Sequence, residues 1–341
     1  MVGIFLPSMS NLAEDINIMI GNFKNKEVKK MIKFNKTTKS DSLDNFNSER
    51  VNFLKYAMAV AVAGHHNIIV TGDDREYTLL MQNLLPNLNK NEVKENSKIY
   101  KLQLDYECRP FRIPHYSTSI EGMFGGGIKC TAGEISFANN GVLFLEDVTE
   151  FKTSVLQMLR SALRLKHIIL SRCGNVFEYP ANFQLAMTLK PCMCGNFGNE
   201  NKKCFCSQKS INLYWEKMKP LLNDVAIQIN LNDVEKVQNY SEKELQEKIK
   251  NAWEIQNSRN KGFNNDLKNL DYLNEVDNNA KDYFYLIKKQ LLNENQSEQV
   301  LKLARTIADM EKQKDIQVEN IEMAMSLSLG LENIKSQFEK R

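Results

Sequence analysis

The sequence predicts an α/β fold: a mostly parallel sheet flanked by helices, followed by a C-terminal all-helical lid. Two observations carry this. Between about Ser42 and Leu231, short apolar runs of strand length alternate with longer helix-periodic segments, the pattern of parallel strands joined through helices. Beyond Asn232 the strand signal stops, and Asn-, Lys- and Glu-rich helical patterns take over. The domain boundaries expected from these shifts are 1–40, 41–232 and 233–341.

In chain order, Val2–Leu6 is a short apolar run, followed by an amphipathic pattern through Leu12, Ile16, Met19 and Phe23 and a polar tract around Lys36–Ser42. A helix is expected from about Asn47 to Val62, a strand at Asn67–Thr71 and a helix at Glu76–Leu85. A strand at Gly141–Leu145 and a helix at Thr153–Leu163 come next. Further strands are expected near His167–Leu170, Phe183–Met187 and Val225–Ile229. The best-defined lid helices run from about Ser297 to Met310 and near Val318 to Leu329.

Bulk properties narrow the function classes. A formal net charge of +3 is too small to argue for nucleic acid by itself, because such binding comes from clustered Lys and Arg. No apolar run approaches a membrane span, and the N-terminus lacks a secretory layout, so a cytoplasmic location is expected. The seven cysteines then read as reduced thiols or metal ligands. Four are packed as Cys192-x-Cys194 and Cys204-x-Cys206 on two short arms, which suits one tetrahedral structural Zn²⁺ or four unmetallated thiols. Four thiolates would leave no open coordination position, so a structural rather than a catalytic metal is the expectation there. Cys108, Cys130 and Cys173 show no spacing pattern and read as packing residues.

Val142-Leu143-Phe144-Leu145 followed by Glu146-Asp147 reads as a buried strand ending in two carboxylates, where nucleotide-hydrolysing folds place magnesium and water. A phosphate loop after Thr71 would read G-x-x-x-x-G-K-[ST], glycines letting backbone N–H groups close on phosphates and the lysine neutralising them. The chain reads Gly72-Asp73-Asp74-Arg75-Glu76-Tyr77-Thr78 instead. There is no second glycine and no lysine, and two aspartates stand where an anion should sit. The two strand-end acids are either solvated or retain residual magnesium binding.

Several segments in order carry a family resemblance. Arg109-Pro110-Phe111-Arg112, Pro114-His115, Gly125-Gly126-Gly127, Gly133-Glu134-Ile135-Ser136 and Asn140–Leu145 resemble the magnesium-chelatase-related AAA+ proteins, in their ComM (YifB) branch. Phe183-Gln184-Leu185, Pro191–Gly195, Pro220-Leu221-Leu222 and Leu303–Asp309 extend the likeness. It implies an AAA+ P-loop-NTPase-like core with a helical lid, ATP and Mg²⁺ as cofactors, a hexameric ring, and DNA branch migration during natural transformation. It also implies a Lon-like N-terminal domain. Gly3-Ile4-Phe5-Leu6-Pro7 is similar to that domain's last segment, so residues 1–40 read either as its remnant or as a linker with a helix.

Carried across position by position, the resemblance exposes a pattern of loss. Gly72, Asp73, Asp74 and Arg75 occupy the phosphate-loop position, and Glu146-Asp147 reverses the family's Asp-Glu order. Lys190 replaces the sensor asparagine, and Asp224 falls where an arginine finger is expected. Arg305 in the lid matches. A one-methylene exchange moves each carboxylate by roughly an ångström, enough to harm a site that works by positioning. The expectation is a pseudo-ATPase, with Lys190 pairing Asp224 or Glu146 in place of bound phosphate. The alternatives are an active ATPase binding nucleotide through Arg75, Arg305 and the strand-end carboxylates, or a chelatase subunit in pigment synthesis. Arg109, Arg112 and His115, leading into a Gly125–Gly127 hairpin, form either a DNA-facing pore segment or an intersubunit or core-capping contact. His65 and His66 read as turn or packing residues, and His167 as an edge residue.

Overall fold

The computed structural model describes residues 49–71, 77–101, 107–172, 175–197, 203–232, 234–259, 262–267 and 275–331, all within one compact unit. The 1–40 region, the Gly72–Arg75 segment and Cys173 lie outside the described residues.

Helix α1 (Glu49–Gly64) is buried from Val51 to its end. Its run of Ala, Val, Met and Leu is apolar all round, as a helix enclosed on every side must be. His65, at a φ of 58°, takes the left-handed turn that ends it. Strand β1 (Ile68–Thr71) follows, buried at every position, then helices α2 (Tyr77–Leu84) and α3 (Lys90–Tyr100). β2 (Phe111–Arg112) leads through the short helices α4 (Ile120–Phe124) and α5 (Glu134–Phe137) to β3 (Val142–Leu145). A 3₁₀ turn at Val148–Glu150 precedes α6 (Thr153–Leu165). β4 (His167–Arg172), β5 (Asn175–Pro180) and β6 (Gln184–Leu189) come next, then α7 (Gln208–Leu222) and β7 (Ile227–Asn230). The C-terminal helical region holds α8 (Glu242–Ser258), α9 (Asn278–Leu291), α10 (Glu294–Met310) and α11 (Val318–Ser328).

Five strands form one sheet in the order β2-β3-β6-β1-β7, and every pair is parallel. Helices on its faces make the strands buried apolar runs rather than alternating ones. Two polar side chains pin the register. Asn67 accepts from Leu185 N (3.0 Å) and donates to Asp224 O (3.0 Å), while Gln184 donates to His66 O (2.7 Å). Because β6 separates β3 from β1, the C-terminal ends of all three, at Leu145, Leu189 and Thr71, lie along one edge. That edge is where open parallel sheets place their ligands.

The strand expected near His167–Leu170 is not part of this sheet. β4 pairs antiparallel with β5 in a separate two-stranded hairpin. The first four residues of β5 are exposed, which an interior position in a helix-covered parallel sheet would not allow.

Candidate functional site

At the sheet edge, Glu146 is exposed and Asp147 takes a left-handed conformation (φ 48°, ψ 61°), its N–H donating to Thr188 Oγ1 at 2.9 Å. Lys190, the first residue after β6, reaches across to Asp147. Its Nζ lies 2.8 Å from Asp147 Oδ2, the two side chains being 45% and 34% exposed. That hydrogen bond is the leading cause of the raised pKa of Lys190. At this exposure the pair contributes at most about 1 kcal/mol. Helix α7 holds both loops in place: Tyr214 Oη donates to Lys190 O (2.6 Å), and Lys217 Nζ donates to Thr149 O (2.7 Å) and Phe151 O (3.1 Å).

Lys190 therefore pairs with Asp147, not with Asp224 or Glu146 as the sequence suggested. Asp224 precedes β7 and so sits at the opposite, N-terminal edge of a parallel sheet. There it binds Arg160 Nε (2.8 Å) and Arg164 Nη2 (2.9 Å), both on α6. The position expected to hold an arginine finger carries an acid that draws in two arginines.

The four cysteines do converge. The Sγ atoms of Cys192, Cys194, Cys204 and Cys206 all lie within 4.8 Å of one another, three of the separations being 3.4, 3.7 and 3.7 Å. A tetrahedral zinc with Zn–S bonds of about 2.3 Å requires sulfurs about 3.8 Å apart, so the arrangement fits the ion. Cys192 is buried, and Cys204 and Cys206 pack against the apolar cluster that contains Phe197, Trp215 and Met218. A backbone hydrogen bond from Asn196 lowers the Cys194 thiol, while burial raises Cys204 and Cys206. Cys130 is apart, its Sγ directed at Gly127 O.

The family described as magnesium chelatase, subunit ChlI, matches residues 50–239, and the ChlI C-terminal family matches 239–328. The chain belongs to the magnesium chelatase ChlI family, within the AAA+ proteins. It is 32% identical over 284 residues to competence protein ComM of Haemophilus influenzae, covering 77% of this chain and 55% of that protein. It is 30% identical over 294 residues to uncharacterized protein YifB of Escherichia coli, covering 80% and 58%. The chain thus spans somewhat more than half the length of these relatives.

Three arginines of this ChlI-family chain are engaged within the chain itself. Arg305 is fully buried, and its guanidinium bonds Asp309 Oδ1 (3.0 Å), Lys314 O (2.8 Å) and Gln313 O (2.7 Å). It is turned inward, not toward the sheet edge where a nucleotide would lie. Arg109, its side chain 7% exposed, forms a two-pronged pair with Glu92 (3.0 and 3.1 Å), donates to Asn140 O (2.6 Å) and lies 4.8 Å from the Trp253 ring. Arg112 forms a similar fork with Glu134 (2.7 and 2.8 Å). Both are paired with acids of this chain, which matches the core-capping one of the two expected roles.

His115 is exposed and bonds Ser117 Oγ at 2.7 Å. Gly125, Gly126 and Gly127 all have positive φ, and Gly126 makes a single antiparallel bridge to Thr131 rather than a full hairpin. Tyr179 Oη donates to Cys130 O at 2.7 Å, tying this loop to β5.

The histidine pair turns out to be more than a turn. His66 is fully buried and its Nε2 lies 2.8 Å from Thr306 Oγ1 on α10. A Cβ on Gly64 would collide with both residues, so glycine is required there. Desolvation lowers the His66 pKa to about 3 and that of His65, whose ring stacks on Phe263, to about 4. No local motif announces this contact, because its partner lies 240 residues away.

Proposed function

We propose that this chain is a ComM-like AAA+ protein that keeps the subunit architecture of a hexameric ring and has lost ATP hydrolysis, acting beside DNA as a non-catalytic subunit or scaffold in the cytoplasm. The observation that carries the reading is the Lys190–Asp147 ion pair of 2.8 Å at the shared end of β3 and β6. An ATPase of this kind needs its strand-end carboxylates for magnesium and for the attacking water, and here Asp147, at the second of the two positions, holds a protein cation. The sequence after Thr71, with neither second glycine nor lysine, supports the same reading. So does the inward orientation of Arg305.

The DNA-related part rests on the likeness to the competence protein and on the ComM-like segments alone. Cys192, Cys194, Cys204 and Cys206 hold a structural zinc, which when bound clamps the loop between β6 and α7 onto the core.

The test is equilibrium binding of a fluorescent ATP analogue with Mg²⁺ to the zinc-loaded full chain, beside Asp147→Ala. No saturable binding up to millimolar nucleotide is the expected result. Micromolar binding that weakens in the variant would overturn the reading and restore the active-ATPase alternative.

A further inference from the structure

Glu146, Asp147 and Glu150 place three carboxyl groups within five consecutive positions where β3 ends. Acidic residues so close in sequence concentrate negative charge at this edge, which favours a nearby cation. The side chain that answers is Lys190, from the neighbouring strand. Its ammonium bonds Asp147 at 2.8 Å and is close enough to feel both Glu150 and Glu146.

Both ends of this contact are held by independent structure. Asp147 is fixed in its left-handed turn by the bond from its N–H to Thr188 Oγ1. The Lys190 carbonyl accepts from Tyr214. Its aliphatic stem lies over Gly195, where an added Cβ would meet Lys190 Cδ at 3.9 Å. The backbone at Lys190 is thus held by α7, and its half-exposed side chain passes the cysteine loop on the way to Asp147.

We infer that Lys190 is a built-in cation for Asp147, so that this edge of the sheet carries its positive charge covalently and excludes a divalent metal ion. A hard cation bound by Asp147 would sit about 2.1 Å from a carboxylate oxygen. The ammonium already lies in hydrogen-bond contact with that carboxylate, so the ion would have to displace it or face a like charge a few ångströms away, and its affinity must fall. The inference deepens the proposed loss of ATP hydrolysis and rests on it in one respect: the edge has no remaining need for magnesium. The two readings fail separately. Nucleotide binding by the natural sequence counts against the first, and metal binding without nucleotide counts against the second.

The experiment titrates Mn²⁺ alone, followed by water-proton relaxation, into the zinc-loaded full chain and its variants. Zinc occupancy keeps the thiols closed, since Mn²⁺ is a weak competitor for thiolate sites. The natural sequence and Lys190→Arg are expected to show no saturable site below millimolar Mn²⁺. Lys190→Gln is expected to gain a single site about five-fold tighter, the equivalent of the roughly 1 kcal/mol the exposed pair can contribute, and adding Asp147→Asn to Lys190→Gln should abolish it. Unchanged thermal unfolding of Lys190→Gln, a substitution at a half-exposed side chain, establishes that the comparison is between folded proteins. Equal Mn²⁺ binding by the natural sequence and Lys190→Gln overturns the inference, as does a folded Lys190→Gln that gains no site. A gained site that survives Asp147→Asn also overturns it.

Discussion

His66 illustrates how much a single buried side chain determines. It is neutral in the folded protein because burial lowers its pKa to about 3, whereas an unfolded chain protonates it near the ordinary value of about 6.5. Between these values the unfolded state holds more protons, so stability rises with pH through that window and is lost as pH falls below about 6.5. Above it the term vanishes. His65, lowered to about 4 by the same desolvation, acts in the same direction. For one such histidine the loss at pH 5.5 is about 1.4 kcal/mol relative to neutral pH. His66→Gln should therefore be less stable than the natural sequence at pH 7.5, having lost the Thr306 contact, yet less sensitive to acid. Urea denaturation at pH 7.5 and 5.5 reads both effects; an unchanged pH dependence would show that His66 is already protonated in the folded state.

At the scale of elements, α3 is held by polar contacts more than by apolar ones. Only Asn96 and Ile99 are buried along it. Glu92 holds Arg109, Glu95 and Asn96 accept from Asn139 and Asn140, and Tyr100 Oη donates to Phe137 O. Arg109→Ala would leave Glu92 and Asn140 O without their cation and strip the cover from Trp253. It is expected to cost about 3 kcal/mol in chemical denaturation and to leave nucleic-acid affinity unchanged once corrected for folded fraction. A stable Arg109→Ala with weakened, less salt-dependent DNA binding would restore the pore reading. The same helix shows why parts of the fold are hidden in the sequence. β1, β3, β6 and β7 are legible because a buried parallel strand is a continuous apolar run, α1 because its apolar run is too long for a strand, and α2, α6, α10 and α11 because their apolar spacing is regular. α3 hides behind polar contacts, β2 is two residues long, and β5 exposes residues that nonetheless pair. The thiol cluster is legible from spacing alone. The partner of Lys190 is not, because it depends on β3 and β6 being neighbours, a fact of strand order rather than of local sequence.

In the whole molecule, the C-terminal helices close over the sheet core through satisfied polar groups as well as apolar packing. The last carbonyls of α1 have no partners within their own helix. Those of Val62 and Ala63 accept from Trp253 Nε1 (3.2 Å) and Gln256 Nε2 (2.8 Å) of α8. His66 reaches Thr306, and behind it Asp309 is fully buried beneath Arg305, Arg259 and Asn264. Releasing α8 and α10 would strand these groups on both sides at once, so core and helical region should unfold together. The chain carries its own reporters. Of its two tryptophans, Trp215 lies on α7 in the core and Trp253 on α8 at the contact with α1. In Trp253→Phe and Trp215→Phe backgrounds, each fluorescence transition should coincide with the loss of helical circular dichroism. Asp309→Asn leaves the buried Arg305 and the partly buried Arg259 short of their counter-charge, which costs about 3 kcal/mol or more. It should lower the denaturation midpoint seen by Trp215 as much as that seen by Trp253, although Asp309 lies on α10, far along the chain from α7. A Trp253 transition that moves alone would mean that the C-terminal helices open as a separate unit, and that the contacts beneath α10 stabilise those helices without stabilising the sheet.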